Sequence, residues 1–419
     1  MACHPARPRF LRVHSPYAYV LTSASLIQLA PSDAAAERAV RLGVQTEGVG
    51  LADGKISADG RTVGFFSFFS LPSADLAQFL RPDASNAKVL QLQGRASPMG
   101  SSLSADGTVF AYVAFTNNGP HEIRVVHVPS SVEILVSGAD GGATPAVSGD
   151  GSTVAFESFA YFFVNAVDAD SSNLRNVSGI LQAVENGPSI TSTGDLVVFE
   201  ADVNEPTPGP EPGTQRNQHI FLAAADGPSV TQLTDDPTLR DIRPRISADG
   251  TRILFERSPA SGPLLADLWL MDADGGNLRQ LTSGPPIGFW GEAHDLSALS
   301  GDGTMAAFGA KERAVFVVHT DGTGLRQIGH AKGRGGIPEV SIDGRGSVVV
   351  HSVRRGDGIG EVWAVGVPGV VPNELADLEL DADAQTLAWA STPSANAHNL
   401  YRAALTSSGS PLAFGLRRG

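Results

Sequence analysis

Cysteine, long apolar runs and basic charge are all scarce in this chain of 419 residues. Cys3 is the only cysteine, so the chain has no internal disulfide and no metal site built from cysteines. No stretch approaches the roughly 18 consecutive apolar residues that a transmembrane helix needs. We therefore expect no transmembrane segment.

The charge balance argues against a nucleic-acid partner. The chain has 44 Asp and Glu residues against 30 Lys and Arg residues, which gives a formal net charge of −14. Affinity for nucleic acid depends on basic side chains that neutralise phosphates. A binder of DNA or RNA is not expected.

At the N-terminus a basic region precedes a more apolar one, as in a signal peptide, but the second region is not apolar enough for a signal-peptide core. Arg7, Arg9 and Arg12 precede residues 17–30, which are only partly apolar and contain several Ser and Thr residues. A signal peptide needs a continuous apolar core after its basic region. An amphipathic strand explains residues 17–30 more simply, and the compartment stays open.

Glycine is abundant, and its abundance indicates the fold class. The chain contains 47 glycines and 27 prolines, while charged residues make up 18 % and apolar residues 42 %. Many glycines suit tight turns between short strands better than they suit long helices. We expect an all-β protein with ample apolar material for a core.

One short segment, at residues 246–255, organises the chain because versions of it recur eight times. Each copy is a turn, usually Asp-Gly, with an apolar residue three positions before it and a large apolar residue six positions after it. The spacing from copy to copy is 40 to 56 residues, which matches a blade of four short strands. The turn residues are Asp59, Asp106, Asp150, Thr193, Asp249, Asp302, Asp343 and Asp383. The residues six positions later are Phe65, Tyr112, Phe156, Phe199, Phe255, Phe308, Val349 and Trp389.

A second repeated unit follows about twenty residues downstream of the turn. Residues 268–282 form an apolar run, an Asp- and Gly-rich turn and a second short run, and residues 315–328, 167–177 and 221–234 echo them. This pattern predicts the third and fourth strands of each blade.

The two units together resemble the WD40-like (PD40) repeat of the TolB-like β-propellers, over essentially residues 45–419. The resemblance implies a single β-propeller of four-stranded antiparallel blades and, since TolB relatives are periplasmic, a periplasmic or secreted bacterial protein. In that family Pro usually follows the turn serine. Here the corresponding residues are Ala58, Ala105, Gly149, Ala248, Gly301 and Ile342.

Eight turns predict eight blades, with seven blades and a spare hairpin as the alternative. Strands from both termini are expected to complete one blade and close the ring, which removes open sheet edges. The predicted organisation is an N-terminal arm at residues 1–24, whose disorder the sequence leaves open, and one propeller at residues 25–419. We expect a monomer.

The candidate binding residues lie where the fourth strand of one blade leads into the first strand of the next. Charged, imidazole and aromatic side chains from neighbouring blades would converge there into a polar pocket. A long loop whose tryptophan packs down and whose charges face water is the simpler alternative for residues 290–295. The candidates are Arg243, Arg245, Trp290, Glu292, His294, Asp295, His330, Lys332 and Arg334.

Two functions are compatible with these features. The first is a non-catalytic scaffold that binds a protein or peptide partner, since the repeat carries no catalytic motif. The second is a propeller that binds or cleaves carbohydrate at the loop around Trp290 and His294. A metal would need ligands from several blades, such as His294, His330 and His351, and no local spacing supports that site. No catalytic residue, cofactor or metal is therefore predicted.

Overall fold

The computed structural model describes residues 19–22, 25–28, 40–42, 50–68, 75–82, 84, 86–93, 95–115, 120–159, 161–181, 187–202, 218–227, 229–260, 265–283, 287–288, 296–310, 314–330, 339–354, 360–368, 370, 378–380, 387–389, 400–402 and 415–417. Every helix or strand assigned in these ranges is a β-strand, so the all-β prediction is confirmed. Contacts divide the chain into one unit at Ala39–Val367 and another made of Met1–Arg38 and Pro368–Gly419.

The smaller unit contributes three antiparallel strand pairs to the described residues. These pairs are β1 (Tyr19–Thr22) with β2 (Ser25–Gln28), β32 (Leu378–Leu380) with β33 (Leu387–Trp389), and β34 (Leu400–Arg402) with β35 (Gly415–Arg417).

The larger unit is a β-propeller with seven blades in its described residues, each with four antiparallel strands. Blade 1 is β4 (Gly50–Ile56), β5 (Val63–Phe68), β6 (Leu76–Leu80) and β7 (Lys88–Gln91). Blade 2 is β8 (Arg95–Leu103), β9 (Val109–Phe115), β10 (Glu122–His127) and β11 (Val132–Leu135). Blade 3 is β12 (Ala143–Val147), β13 (Thr153–Glu157), β14 (Val164–Asp168) and β15 (Arg175–Asn176). Blade 4 is β16 (Ser189–Ile190), β17 (Leu196–Asp202), β18 (Gln218–Ala224) and β19 (Val230–Gln232).

The remaining blades follow the same order, and the last one borrows a strand from the N-terminal side. Blade 5 is β20 (Leu239–Ile246), β21 (Arg252–Pro259), β22 (Leu265–Asp272) and β23 (Arg279–Gln280), with β24 (Ile287–Gly288) also paired to β22. Blade 6 is β25 (Ser297–Leu299), β26 (Met305–Ala310), β27 (Ala314–His319) and β28 (Arg326–His330). Blade 7 is β29 (Val340–Ile342), β30 (Val348–Arg354), β31 (Gly360–Gly366) and β3 (Val40–Leu42).

Blade 7 closes the ring in two ways. Its outermost strand is β3, so the chain returns to its own beginning, with Arg41 opposite Trp363. Its inner side meets blade 1, where the backbone N–H of Ile56 donates to Ser341 Oγ at 3.2 Å. The eight-blade ring is not confirmed, and the alternative of seven blades matches the strands described. One propeller over residues 25–419, with an arm at residues 1–24, stays a prediction.

The core lies between adjacent blades. The aromatic residue six positions after the turn is at most 2 % exposed in each of the first six blades. Each ring packs against the preceding blade, as Phe156 does against Val113 and Ile123, and Phe308 against Leu254. Since strand side chains alternate between faces, one repeated position buries the same face every time. The six residues are Phe65, Tyr112, Phe156, Phe199, Phe255 and Phe308.

The turn aspartates are structural. In blade 5 Ser247 donates to Asp249 Oδ1 at 2.6 Å, and the same oxygen accepts the backbone N–H of Thr251 at 3.0 Å. Gly250 follows with φ of 73°, a conformation that costs glycine nothing. Blades 1, 2, 3 and 6 repeat the bond from serine to aspartate.

In blade 7 the turn residue lies two positions later than predicted. Asp343 occupies the position that serine holds elsewhere, because its carboxylate accepts the backbone N–H groups of Ser347 and Val348. Burial raises the pKa of this carboxyl group. The turn glycine is Gly346, with φ of 72°. The residue six positions after the turn is therefore His351, in place of the predicted Val349.

A closed belt of seven backbone hydrogen bonds joins the turns of neighbouring blades. Ala105 donates to Gly149, Ser192 to Ala248 and Ala248 to Gly301, each at 2.9 Å. The bond from Gly344 to Ala58, at 2.8 Å, joins blade 7 to blade 1. The other three are Asp59 to Ala105, Asp150 to Ser192 and Asp302 to Gly344.

The belt gives a physical reason for the missing proline in four of the seven turns. Proline has no N–H, so it could not replace a residue that donates to the next blade. The donors at the position after the turn serine or its equivalent are Ala105, Ser192, Ala248 and Gly344. The residues after the turn serine or its equivalent are also small, because the turns crowd together: a Cβ on Gly344 would lie 2.6 Å from the carbonyl oxygen of Ala58. Gly344, not Ile342, is the seventh member of this set.

We expect Ala248→Pro to lower the free energy of unfolding by about 1 to 2 kcal/mol, because one belt hydrogen bond is lost. Ala248→Ser keeps the N–H and copies Ser192 of blade 4, so it should change that free energy by less than about 0.5 kcal/mol. Urea unfolding of both variants measures the difference. Equal stabilities would show that the belt contributes nothing.

Candidate functional site

The inner strands of all seven blades surround a central cavity of about 210 Å³. The residue four positions before each turn contributes to its wall, because the same register recurs in every inner strand. These residues are Lys55, Ser102, Ala146, Ser189, Arg245, Ala298 and Ser341. The cavity thus assembles side chains that lie far apart in the sequence.

The charged side chains on this wall are two cations, among the residues that the structure describes. They are Lys55 of blade 1 and Arg245 of blade 5. Lys55 Nζ lies 2.8 Å from Oδ1 of Asp53, which is fully buried. Arg245 Nη1 donates to the carbonyl oxygen of Pro244 at 2.9 Å. Both cations are thereby held in place.

Hydroxyl groups form much of the remaining polar wall. Ser102, Ser189 and Ser341 each accept a backbone N–H from the inner strand of the next blade, at 2.9 to 3.2 Å. A hydroxyl that accepts in this way still has its own hydrogen to donate. Ser101 Oγ and Thr144 Oγ1 are buried without a hydrogen-bond partner. Buried hydroxyls are normally satisfied, so both need an explanation.

The inner strands bend at the residue six positions before the turn. That residue has positive φ in blades 1 to 5, and a register shift accompanies it in blades 1, 2, 3 and 5. A β-bulge of this kind re-aims the side chains beside it. The five residues are Asp53 (φ 58°), Gly100 (108°), Thr144 (49°), Gly187 (74°) and Arg243 (52°).

Arg243, a predicted binding residue, is only 3 % exposed. Its Nη1 donates to Glu256 Oε2 at 2.9 Å, and its backbone N–H donates to Glu200. Glu256 Oε1 also accepts from Ser297 of blade 6 at 3.1 Å. Arg243 therefore joins blades 4, 5 and 6 beneath the surface, and its role in binding stays a prediction.

A second buried ion pair lies beside it and was missed by the sequence analysis. Arg257 donates twice to Asp241, from Nε at 2.6 Å and from Nη2 at 2.8 Å. Its guanidinium carbon also lies 4.9 Å from the ring centre of Trp269. His219 is buried nearby, and burial lowers the pKa of its imidazole.

One signal in the sequence could have revealed this network. The residue seven positions after the turn is glutamate in blades 3, 4 and 5, where other blades have residues such as Phe66 and Val113. These are Glu157, Glu200 and Glu256, and all three are buried. A charge that breaks the apolar pattern of a repeat indicates a buried polar network.

The structure describes the side chain of only one of the other predicted site residues, Arg245. Arg245 lies on the cavity wall. His330 ends β28, and only its backbone is described. Trp290, Glu292, His294, Asp295, Lys332 and Arg334 lie outside the described residues. No group of three or more His, Cys, Asp or Glu residues in the described part of the chain could hold a metal ion.

His351, considered as a metal ligand, occupies the position of the buried aromatic ring in the other blades. It is 3 % exposed and lies opposite Trp363, as Phe255 lies opposite Trp269. Its Nδ1 atom is buried without a hydrogen-bond partner. Burial lowers the pKa of this imidazole to about 4.

This burial predicts a loss of stability in acid. The neutral imidazole contributes fully above the unfolded pKa of 6.5, and its contribution is lost as pH falls towards 4. The loss is about 3 kcal/mol, from 1.36 kcal/mol per unit of pKa. His351→Phe restores the ring of the other blades and should remove this part of the pH dependence. Urea unfolding of both proteins at pH 7 and pH 5 gives the comparison, and parallel losses would contradict the assignment.

Exposed aromatic side chains form a patch where β9 and β13 end. Tyr161 is 58 % exposed, Phe162 46 % and Phe115 39 %. His121 lies between Phe115 and Phe159, with ring centres 4.4 and 5.0 Å away and both contacts edge-on. We call these five residues the aromatic patch. Because Phe115 is opposite Arg95, where inner strand β8 begins, the patch lies on the face where the inner strands start.

Comparison with solved structures places this architecture among known β-propellers. The chain is similar to an oligogalacturonate lyase from Vibrio parahaemolyticus, with a TM-score of 0.57, 13 % identity, and coverage of 81 % of this chain and 95 % of that one. It is similar to the β-propeller domain of the Trilobed protease from Pyrococcus furiosus, with a TM-score of 0.53, 14 % identity, and coverage of 77 % and 94 %.

TolB from Acinetobacter baumannii is also among the similar structures, with a TM-score of 0.44, 15 % identity, and coverage of 76 % of this chain and 64 % of that one. The predicted resemblance to TolB-like β-propellers is confirmed. Identities this low show the fold alone. No family model and no curated protein matches the chain. No described helix is long and apolar enough to cross a membrane.

Proposed function

We propose that this β-propeller is a non-catalytic scaffold that binds a protein or peptide partner on the face where its inner strands begin. The aromatic patch is the observation that carries the proposal. Contiguous exposed apolar patches on soluble proteins often mark interaction sites, and Tyr is among the residues enriched in binding hot spots. In this chain only 7 % of residues are aromatic, yet four of the patch's five residues are aromatic.

The patch is ordered before any partner arrives. His121 makes edge-on contacts with Phe115 and Phe159, and Tyr161 stacks on Phe163 with ring centres 5.7 Å apart. Phe162 has φ of 58°, and its backbone N–H donates to the carbonyl oxygen of Ser158 at 2.9 Å. A partner would therefore lose little free energy in ordering these side chains.

The ring beneath the patch supports the same function. Seven blades closed by β3 and by the belt form a rigid platform, and rigid platforms suit loops that carry recognition. Trp290, Glu292, His294, Asp295, Lys332 and Arg334 belong to the connections that lead to inner strands β25 and β29. Of the other two candidates, His330 ends β28 just before one of these connections, and Arg245 lies on inner strand β20 at the cavity wall. We propose that they extend the partner surface from the patch towards the channel.

A carbohydrate ligand is the second candidate, favoured by the same exposed rings. Tyr161 and Phe162 offer apolar ring faces of the kind on which sugar rings stack. This candidate also involves the predicted loop around Trp290 and His294.

A displayed library of random peptides, selected on the wild-type protein, tests the partner proposal. Selected peptides should bind the double variant Tyr161→Ser, Phe162→Ser at least about tenfold more weakly, because truncating hot-spot residues costs more than about 1.4 kcal/mol. Calorimetric titration measures each affinity, and an oligosaccharide array provides the parallel test for sugars.

The matched control is Leu278→Ser with Leu325→Ser. These leucines are 44 % and 45 % exposed, but they lie beside the turns at the opposite end of blades 5 and 6. Peptide affinity should be unchanged in this control. If the array alone gives ligands that depend on the patch, carbohydrate binding replaces the partner proposal. Peptides that ignore the patch would refute it.

A further inference from the structure

Ile180 extends the apolar surface of the aromatic patch. Its side chain is 91 % exposed, the largest exposed fraction among the large apolar side chains that the structure describes. It lies in the turn that follows β15, where the backbone N–H of Val177 donates to the carbonyl oxygen of Val164 at 2.8 Å. Val164 begins β14 directly after Phe163, the ring on which Tyr161 stacks. The turn and the patch therefore lie side by side.

Hydrogen bonds hold this turn in shape, so that Ile180 projects from a preformed support. The side chain of Asn176 bonds Gly179 twice, by donating to its carbonyl oxygen at 2.9 Å and by accepting its backbone N–H at 2.8 Å. Ser178 Oγ donates to the carbonyl oxygen of Leu181 at 2.9 Å. A side chain on a preformed turn loses less conformational freedom when a partner covers it.

The charge that the structure describes beside the patch is acidic. Asp140 is exposed in the connection between β11 and β12, and the backbone N–H of Gly142 in the same connection donates to the carbonyl oxygen of His121 at 2.7 Å. Burial lowers the pKa of the His121 imidazole from 6.5, so this ring is neutral at pH 7. Arg124, on β10, already contacts two carboxylates, at 2.8 and 3.2 Å.

Blade 5 shows how this chain places a cation between aromatic rings and a carboxylate. The guanidinium carbon of Arg257 lies 5.1 Å from the ring centre of Phe255 and 4.9 Å from that of Trp269. The same guanidinium donates twice to Asp241. Cations are attracted to the faces of aromatic rings. The exposed ring of Tyr161 and the nearby carboxylate offer the same two kinds of group at the surface.

Charge also decides between a protein and a membrane as the occupant of this surface. Exposed aromatic and aliphatic side chains can insert into a bilayer interface, but membrane surfaces carry anionic lipids. A chain with a net charge of −14 and an exposed Asp140 beside its patch is repelled by such a surface. A basic protein segment is attracted by the same charges.

We infer that the aromatic patch and Ile180 bind a protein segment that carries Lys or Arg beside an aliphatic residue. The cation lies over the exposed ring of Tyr161, near Asp140. The aliphatic side chain packs against Phe162 and Ile180. This inference rests on the proposed function, because it specifies the chemistry of the partner that the patch binds.

The displayed peptide library tests the chemistry of the partner. Peptides selected on the full chain should contain Lys or Arg beside Leu, Ile, Val or Met at least about threefold more often than unselected peptides do. Replacing the basic residue of one selected peptide by Gln should weaken binding about tenfold. Added salt should weaken the basic peptide and leave its Gln twin nearly unchanged, because salt screens charge. Calorimetric titration measures each affinity.

Three substitutions of exposed side chains separate the contacts. Asp140→Asn and Tyr161→Leu should each weaken the basic peptide at least about threefold and affect its Gln twin little, because they remove the carboxylate charge or the ring face. Ile180→Ser should weaken both peptides about tenfold, since it removes the aliphatic contact. Leu174→Ser is the comparison variant. Leu174 is 50 % exposed at the other end of β15, so affinity should not change.

The outcomes distinguish this inference from the proposed function. Selected peptides that depend on Tyr161 and Phe162 but carry no basic residue would overturn the inference and leave the proposed function intact. Equal affinities of the basic peptide and its Gln twin, or unchanged affinity in Ile180→Ser, would also overturn it. So would binding to vesicles of phosphatidylcholine and phosphatidylglycerol that Ile180→Ser abolishes. Peptides that ignore the patch would contradict both proposals.

Discussion

The belt of backbone hydrogen bonds between turns is the constraint on which the propeller depends. The seven inner strands among the described residues end there, and backbone N–H and C=O groups of neighbouring turns pair with each other. Each turn therefore needs a small residue, and most members also use their N–H. The ring of Ala, Gly and Ser residues follows from this geometry.

The same convergence creates the chemistry of the cavity. One register position in seven strands brings Lys55, Arg245 and several hydroxyls together around a single space. Further towards the strand starts, Arg243 and Glu256 bind neighbouring blades to one another. Buried polar groups of this kind cost free energy unless they are satisfied, so they mark where the ring departs from simple packing.

Features that recur in every repeat could be predicted from the sequence. Residues that depart from the repeat were harder to predict. The recurring aromatic residue and the Asp-Gly turn predicted the blades, because each depends on local alternation and turn chemistry. Asp343 was wrongly aligned with the turn aspartates. It stands where the other blades have serine, and its carboxylate accepts the backbone N–H groups that the serine hydroxyl accepts there. The eight turn-like segments did not yield eight blades among the described strands, since Leu378–Leu380 and Leu387–Trp389 pair only with each other there.

The sequence by itself determined the all-β class, the four-stranded unit and the structural role of the turn aspartates, because these depend on residues close together in the chain. Tertiary structure decided the count of seven blades among the described strands, the burial of Arg243 and His351, and the placement of Arg245 and Lys55 on the wall of one cavity. Such outcomes depend on which strands become neighbours around the ring and on how much water each side chain loses there. Neither quantity is encoded in any single repeat.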